Sequence, residues 1–138
     1  MKANELMVGD WVKFPIGNEK VVDLPYIEGR GICASFAASA TLFPVEVDKL
    51  EPIPLTAEIL EKNGFKKQGF DGWEIDHKTD DGNDLEWLAL WRNDYSSPHL
   101  QINSFVSLYG SFSSFGIHFV HQLQHALKLC QIDKEITV

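Results

Sequence analysis

Leu50-Glu51-Pro52-Ile53-Pro54-Leu55, residues 50–55, divides the chain. Two prolines at alternate positions fix φ, remove two amide donors and push the residues before them into extended backbone, so no helix crosses this segment. A helix starts just after it. Thr56 offers a side-chain oxygen as N-cap, Glu58 and Glu61 suit the early turns, and Ile59 and Leu60 supply apolar contacts. Asn63-Gly64 supplies a left-handed stop, which limits the helix to two turns.

Toward the N-terminus, five of the six prolines fall before residue 55 and the chain reads as short strands between turns. A Gly9-Asp10 turn precedes Trp11-Val12-Lys13-Phe14, and Pro15-Ile16-Gly17-Asn18 is a second turn by residue type. Residues 21–24, 31–36 and 45–47 are three further strands. Short strands at this spacing predict an SH3-like small β-barrel over residues 1–52. Toward the C-terminus, residues 73–77, 85–91 and 100–102 predict a three-stranded antiparallel meander, turning at Asp80-Asp81-Gly82-Asn83 and Ser96-Ser97-Pro98. A last helix is expected over residues 117–130. The fold class is α+β: a barrel module, then an α-β-β-β-α module over residues 53–138, the two packed as one unit.

The chain has 138 residues, 44% hydrophobic and 23% charged, which suits a globular protein of one domain or two small modules. No apolar run approaches the roughly 20 residues that span a bilayer, and MKANELMVGDW shows no apolar signal segment, so no membrane partner is expected and the expected location is cytoplasmic. Cys33 and Cys130 form no CxxC pair and read as buried apolar residues. The net charge of −8 argues against direct nucleic-acid binding, which needs cations to neutralise phosphates. Residues 71–94 concentrate that charge, with eight acidic and two basic residues.

Three of the five histidines stand in IHFVHQLQH, residues 117–125. At about 100° per residue, Phe119, Val120, Leu123, Ala126, Leu127 and Cys130 share one face, while His118, His121 and His125 gather within roughly 60° on the other. His121 and His125 have the i, i+4 spacing that can hold zinc. The zinc-protease helix is H-E-x-x-H, however, and Gln122 stands where the glutamate acts as base. The three histidines are therefore read as solvent- or partner-facing, with a metal site at His118, His121 and His125 as the sharper alternative and a face stacked against the barrel, one histidine buried and hydrogen-bonded, as a third reading. No cofactor is expected. Gly110 to Gly116 lacks G-x-S-x-G and reads as a loop ended by a Ser114 cap. Asp80 to Asp84 departs from a calcium loop, because that register puts His77 and Thr79 at ligand positions.

NELMVGDWV, LEPIPLTAEILEKNGF and IHFVHQLQHALKL resemble, in order, the blocks "ELxxGNWV", "PIPLTxExLxxNGF" and "VHxLQ" of a family of small uncharacterised proteins found in gut-bacterial genomes, phages and mobile elements. The resemblance covers nearly the whole chain and implies an intracellular protein of mobile-element origin. It implies no activity or cofactor. His121 and Gln124 match fixed positions of the pattern, whereas His118 and His125 match variable ones. Asp10 stands where the pattern has asparagine.

The expected function is that of a non-enzymatic binding or adaptor protein whose partner is another protein, met through Trp11 and Tyr26 on the barrel rim or through His121 and Gln124. One alternative is a small metal-dependent or acid/base enzyme centred on His121. Another is an acidic decoy that mimics nucleic acid.

Overall fold

A computed structural model describes residues 1–15, 17–37, 43–69, 72–77, 86–94, 101–108, 111–130 and 132–138. The turns expected at 80–83 and 96–98 lie outside the described residues. The architecture is α+β, with antiparallel sheets, one of them a meander, and two α-helices among the described residues. The chain divides into two compact units, Met1–Ile53 with Val138 and Pro54–Thr137.

The first unit carries β1 (Trp11–Phe14), β2 (Gly17–Asp23), β3 (Tyr26–Ile27), β4 (Gly31–Phe36), β5 (Val45–Glu46) and β6 (Glu51–Pro52), with a 3-10 turn at Val47–Lys49. The sheet order is β3-β4-β2-β1-β6, and β5 also pairs β4. Among the described residues no pairing closes this sheet into a barrel. Phe14 pairs Gly17 and Lys13 pairs Asn18, so the turn expected over residues 15–18 is tighter than its composition implied. The cause is Gly17, whose φ of +146° lets β2 begin directly opposite the end of β1.

The pairings Asp23↔Ser35, Tyr26↔Ile32 and Ile27↔Gly31 keep one register along β4. Cys33 N–H donates to the Pro25 carbonyl at 2.9 Å, so β3 continues the flank that β2 occupies, interrupted only because Pro25 has no N–H to return. Leu6, Val12, Val21, Ala34, Phe36, Val45, Val47 and Leu50 form the core here, with Phe14 tilted against Phe36 at 6.4 Å. Asp10 is fully buried at the entry to β1. Its Oδ2 accepts the Met7 N–H at 2.7 Å, while its carbonyl accepts Val21 N–H at 2.9 Å.

The second unit runs α1 (Ala57–Lys62), β7 (Lys66–Gln68), β8 (Gly72–His77), β9 (Glu86–Asp94), β10 (Gln101–Leu108), β11 (Ser111–Ile117) and α2 (Val120–Leu129). Thr56 caps α1, its Oγ1 accepting Ile59 N–H at 3.2 Å, and Gly64 takes the left-handed φ of +80° after it. The sheet order is β11-β10-β9-β8-β7, five antiparallel strands rather than the three expected. Most of the segment expected as a loop over 110–116 is β11, paired to β10 from Ser111↔Leu108 to Ile117↔Ile102. Serine and glycine are poor strand formers, but the ladder joins main chains and tolerates them when a neighbouring strand presents its free edge.

Because β11 extends to Ile117, the helix begins at Val120 instead of Ile117 and His118 lies outside it. Ser114 is not its cap. Phe119 is the cap residue, and Gln122 Oε1 reaches back to accept the N–H groups of His118 at 2.8 Å and Phe119 at 3.2 Å. The proline segment meets this junction in an extended form: Pro54 bridges Phe119, and Leu55 N–H donates to the His118 carbonyl at 2.9 Å. Beyond α2 the described residues 132–138 form no helix or strand, yet Ile132 and Ile136 are buried. Asn63 holds that tail. Its Nδ2 donates to the carbonyls of Ile59 (2.7 Å) and Thr137 (2.8 Å), and its Oδ1 accepts the Thr137 N–H at 2.9 Å.

Candidate functional site

The histidine stretch does not form the open face expected from the helical wheel. His121 is 4% exposed and Gln124 8% exposed, so both residues offered for partner contact on this helix are buried. The buried residues Val120, His121, Leu123, Gln124, Ala126 and Leu127 span roughly 220° of the wheel at about 100° per residue, which leaves little polar face. The His121 ring stacks on Phe119 at 5.8 Å and 10°, and meets His125 edge-on at 5.8 Å. The imidazole of His118 lies over Gly116, where a Cβ would come within 2.8 Å of its Nε2. Histidines 118 and 121 thus flank Phe119 as packed aromatic rings. Among the described residues, no group of three or more His, Cys, Asp or Glu side chains could hold a metal ion.

The two candidates in the first unit are placed differently. Trp11 is half-buried and pairs Lys20 between β1 and β2. Tyr26 is 74% exposed and pairs Ile32, itself 41% exposed, between β3 and β4. The structure does not bring Trp11 and Tyr26 together as cross-strand neighbours.

Tyr26 and Ile32 are opposite one another, so their side chains share a face of the sheet. Side chains alternate along a strand, so Ile32, Ala34 and Phe36 also share a face. Ala34 and Phe36 are core residues. Ile32 and Tyr26 are therefore the same apolar face carried past the end of the core into solvent. Beside them is a cleft of about 340 Å³ lined by Ile32, Arg30, Glu46, Val47, Asp48 and the first three residues.

The cleft has an ion-paired wall. Arg30 Nε donates to Glu46 Oε1 at 3.0 Å, an Arg30 terminal nitrogen donates to the Pro44 carbonyl at 2.8 Å, and Lys49 Nζ lies 2.7 Å from Glu46 Oε2. The hydrogen bond from Lys49, and after it that from Arg30, hold the Glu46 carboxyl below the usual carboxylate range. The charged form is the one favoured by folding. Its contribution is complete above the ordinary glutamate pKa of about 4.3 and is lost as the pH falls through the lower folded value. A carboxyl-carbon NMR titration should place Glu46 below that ordinary value, and Lys49→Met should move it upward. An unshifted midpoint in the wild-type chain would show that the ion pairs do not persist in solution.

The sequence singles out Tyr26 but gives no sign of Ile32, Arg30, Glu46 or Lys49 beside it. Only the turn-like Glu28-Gly29-Arg30-Gly31 hinted that Tyr26 and Ile32 would face each other across a hairpin.

No protein-family model matches the chain, and neither a curated protein nor a solved structure matches it.

Proposed function

We propose that the protein is a non-enzymatic protein-binding adaptor and that its first unit is an SH3-like small barrel whose contact surface is centred on Tyr26 and Ile32. The observation that carries the reading is the exposed apolar pair at the end of the core, next to a cleft with a fixed ionic wall. Large aromatic side chains beside aliphatic ones and arginine are the composition enriched at protein interfaces. The barrel reading is supported by the strand circuit. After the 3-10 turn, β6 returns to pair β1, and the sheet continues through β2 and β4 to β5 around one core. The resemblance to a mobile-element family agrees with a small intracellular adaptor, and a net charge of −8 favours a protein partner over nucleic acid.

The test is affinity purification from the native host at endogenous expression, comparing wild type with a Tyr26→Ala, Ile32→Ser double variant. Both residues are exposed, so the variant should keep its circular dichroism spectrum. A stoichiometric protein that is retained by wild type and lost from the variant is the expected result. A clean wild-type monomer, or a partner indifferent to the double variant, would remove this surface from consideration.

A further inference from the structure

The main chain around Tyr26 shows how a partner would be held. Cys33 N–H donates to Pro25, which makes Pro25 and Cys33 a hydrogen-bonded pair. In an antiparallel ladder such pairs alternate with non-hydrogen-bonded ones, so with the register Tyr26↔Ile32 the N–H and C=O of Tyr26 are turned away from β4. By the same alternation Leu24 directs its main chain outward, and Glu28, the second residue of the turn that Arg30 N–H closes on Ile27 C=O, keeps its N–H outside that turn's own hydrogen bond. The Leu24 N–H is already held by its neighbour, the Asp23 carboxylate, at 2.9 Å. The outer flank of β3, which ends the sheet order, has no strand paired to it among the described residues. Asp23 and Glu28, both exposed, put a carboxylate at each end of this short edge.

We propose that β3 is an acceptor edge: an extended segment of a partner protein, apolar at its centre and basic at its ends, adds to it as a further strand. Tyr26 N–H, Tyr26 C=O, Glu28 N–H and Leu24 C=O bond its main chain. The segment's central side chain rests on Tyr26 and Ile32, and its lysines or arginines meet Asp23 and Glu28. Main-chain bonds give such an added strand its hold, and side chains select it. A second copy of this chain is the poorer occupant, because it brings a further net charge of −8 to an edge that is itself acidic.

This inference deepens the adaptor reading and rests on it, but its test is separate. The full, isotopically labelled chain is titrated with a blocked hexapeptide of sequence KVTVTK. Shifts and slowed amide exchange should concentrate at Tyr26 and Glu28, while Leu24, whose N–H is already bonded, gains little protection. Arg30 N–H donates to Ile27 C=O at 3.0 Å, so Glu28 is the second residue of a turn, where proline is well tolerated. Glu28→Pro should therefore leave the hairpin intact, remove one outward donor and weaken the peptide about tenfold, the equivalent of one hydrogen bond. Glu28→Gln keeps the donor and separates its effect from that of charge.

Binding untouched by Glu28→Pro, or shifts absent from Tyr26 and Glu28, would overturn the added strand. So would a concentration-dependent dimer that already protects Tyr26, since a second copy would then hold the edge. If a host partner is still lost from the Tyr26→Ala, Ile32→Ser variant while the hexapeptide fails, the adaptor reading stands and the contact is made by side chains alone. If the hexapeptide binds and no host protein is captured, the edge stands and the adaptor reading falls.

Discussion

Asn63→Ala is expected to destabilise the second unit by about 2–4 kcal/mol, the scale for removing a buried side chain that satisfies several polar groups. Asn63 is only 4% exposed and does two tasks at once: it ends α1 through the Ile59 carbonyl and it clamps the tail through the N–H and C=O of Thr137. Among the described residues the tail pairs in no ladder, and the clamp at Thr137 fixes the main chain next to Ile136, which is 1% exposed. Alanine frees the tail and leaves the Ile59 carbonyl only the main-chain bond from residue 63, 3.1 Å in the wild-type chain. Native-state hydrogen exchange should show loss of protection first at Thr137 and Ile136, with α1 following. Asn63→Asp should be nearly as damaging, since it keeps the acceptor but sets a carboxylate against two carbonyls. If the tail remains protected in the alanine variant, its anchorage lies in the apolar contacts and not in these bonds.

Asp10→Ala should cost the first unit about 1–3 kcal/mol, and Asp10→Asn clearly less, because only alanine leaves the Met7 N–H without its acceptor. Asp10 is 0% exposed and sits where Gly9 N–H donates to the Val21 carbonyl at 2.7 Å and Val21 N–H returns to Asp10. The side-chain bond to Met7 shapes the turn that brings these groups into register with β2. Asparagine offers an equivalent side-chain oxygen to the Met7 N–H. The amide of Val21 reports the outcome by its exchange rate. Equal loss in both variants would mean that charge, not the acceptor geometry, is what the site needs.

The elements legible in the sequence were those built by local chemistry. Thr56 bonding Ile59 N–H, Gly64 at positive φ and the extended Pro52–Pro54 segment each depend on residues within a few positions of one another. The first-unit strands expected at residues 11–14, 21–24, 31–36 and 45–47 were legible in place for the same reason, since turn residues punctuate them, but β2 starts earlier, at Gly17, and ends at Asp23, and Val47 opens a 3-10 turn instead of ending β5. β11 was not legible. Its Ser-Phe-Ser-Ser-Phe-Gly run takes its form from β10, whose main chain accepts any residue with an N–H and a C=O. That strand displaced the start of α2 to Val120, which moved His118 off the helix and gave Gln122 a capping role.

Burial of His121 and the pairing of Tyr26 with Ile32 both depend on tertiary context. A helical wheel ranks faces by hydrophobicity, but how much of the wheel is covered depends on what surrounds the helix, and here the cover extends past His121 and Gln124. The candidate contact pair of Tyr26 and Ile32 is six positions apart and exists only through the hairpin register. By itself the sequence determined where helices and turns begin and end, because caps, prolines and glycines act within one or two turns of chain. Only the tertiary structure decided which strands those turns would bring together, which side chains they would bury and which edge they would leave open, because these depend on pairing between segments whose composition does not name its partner.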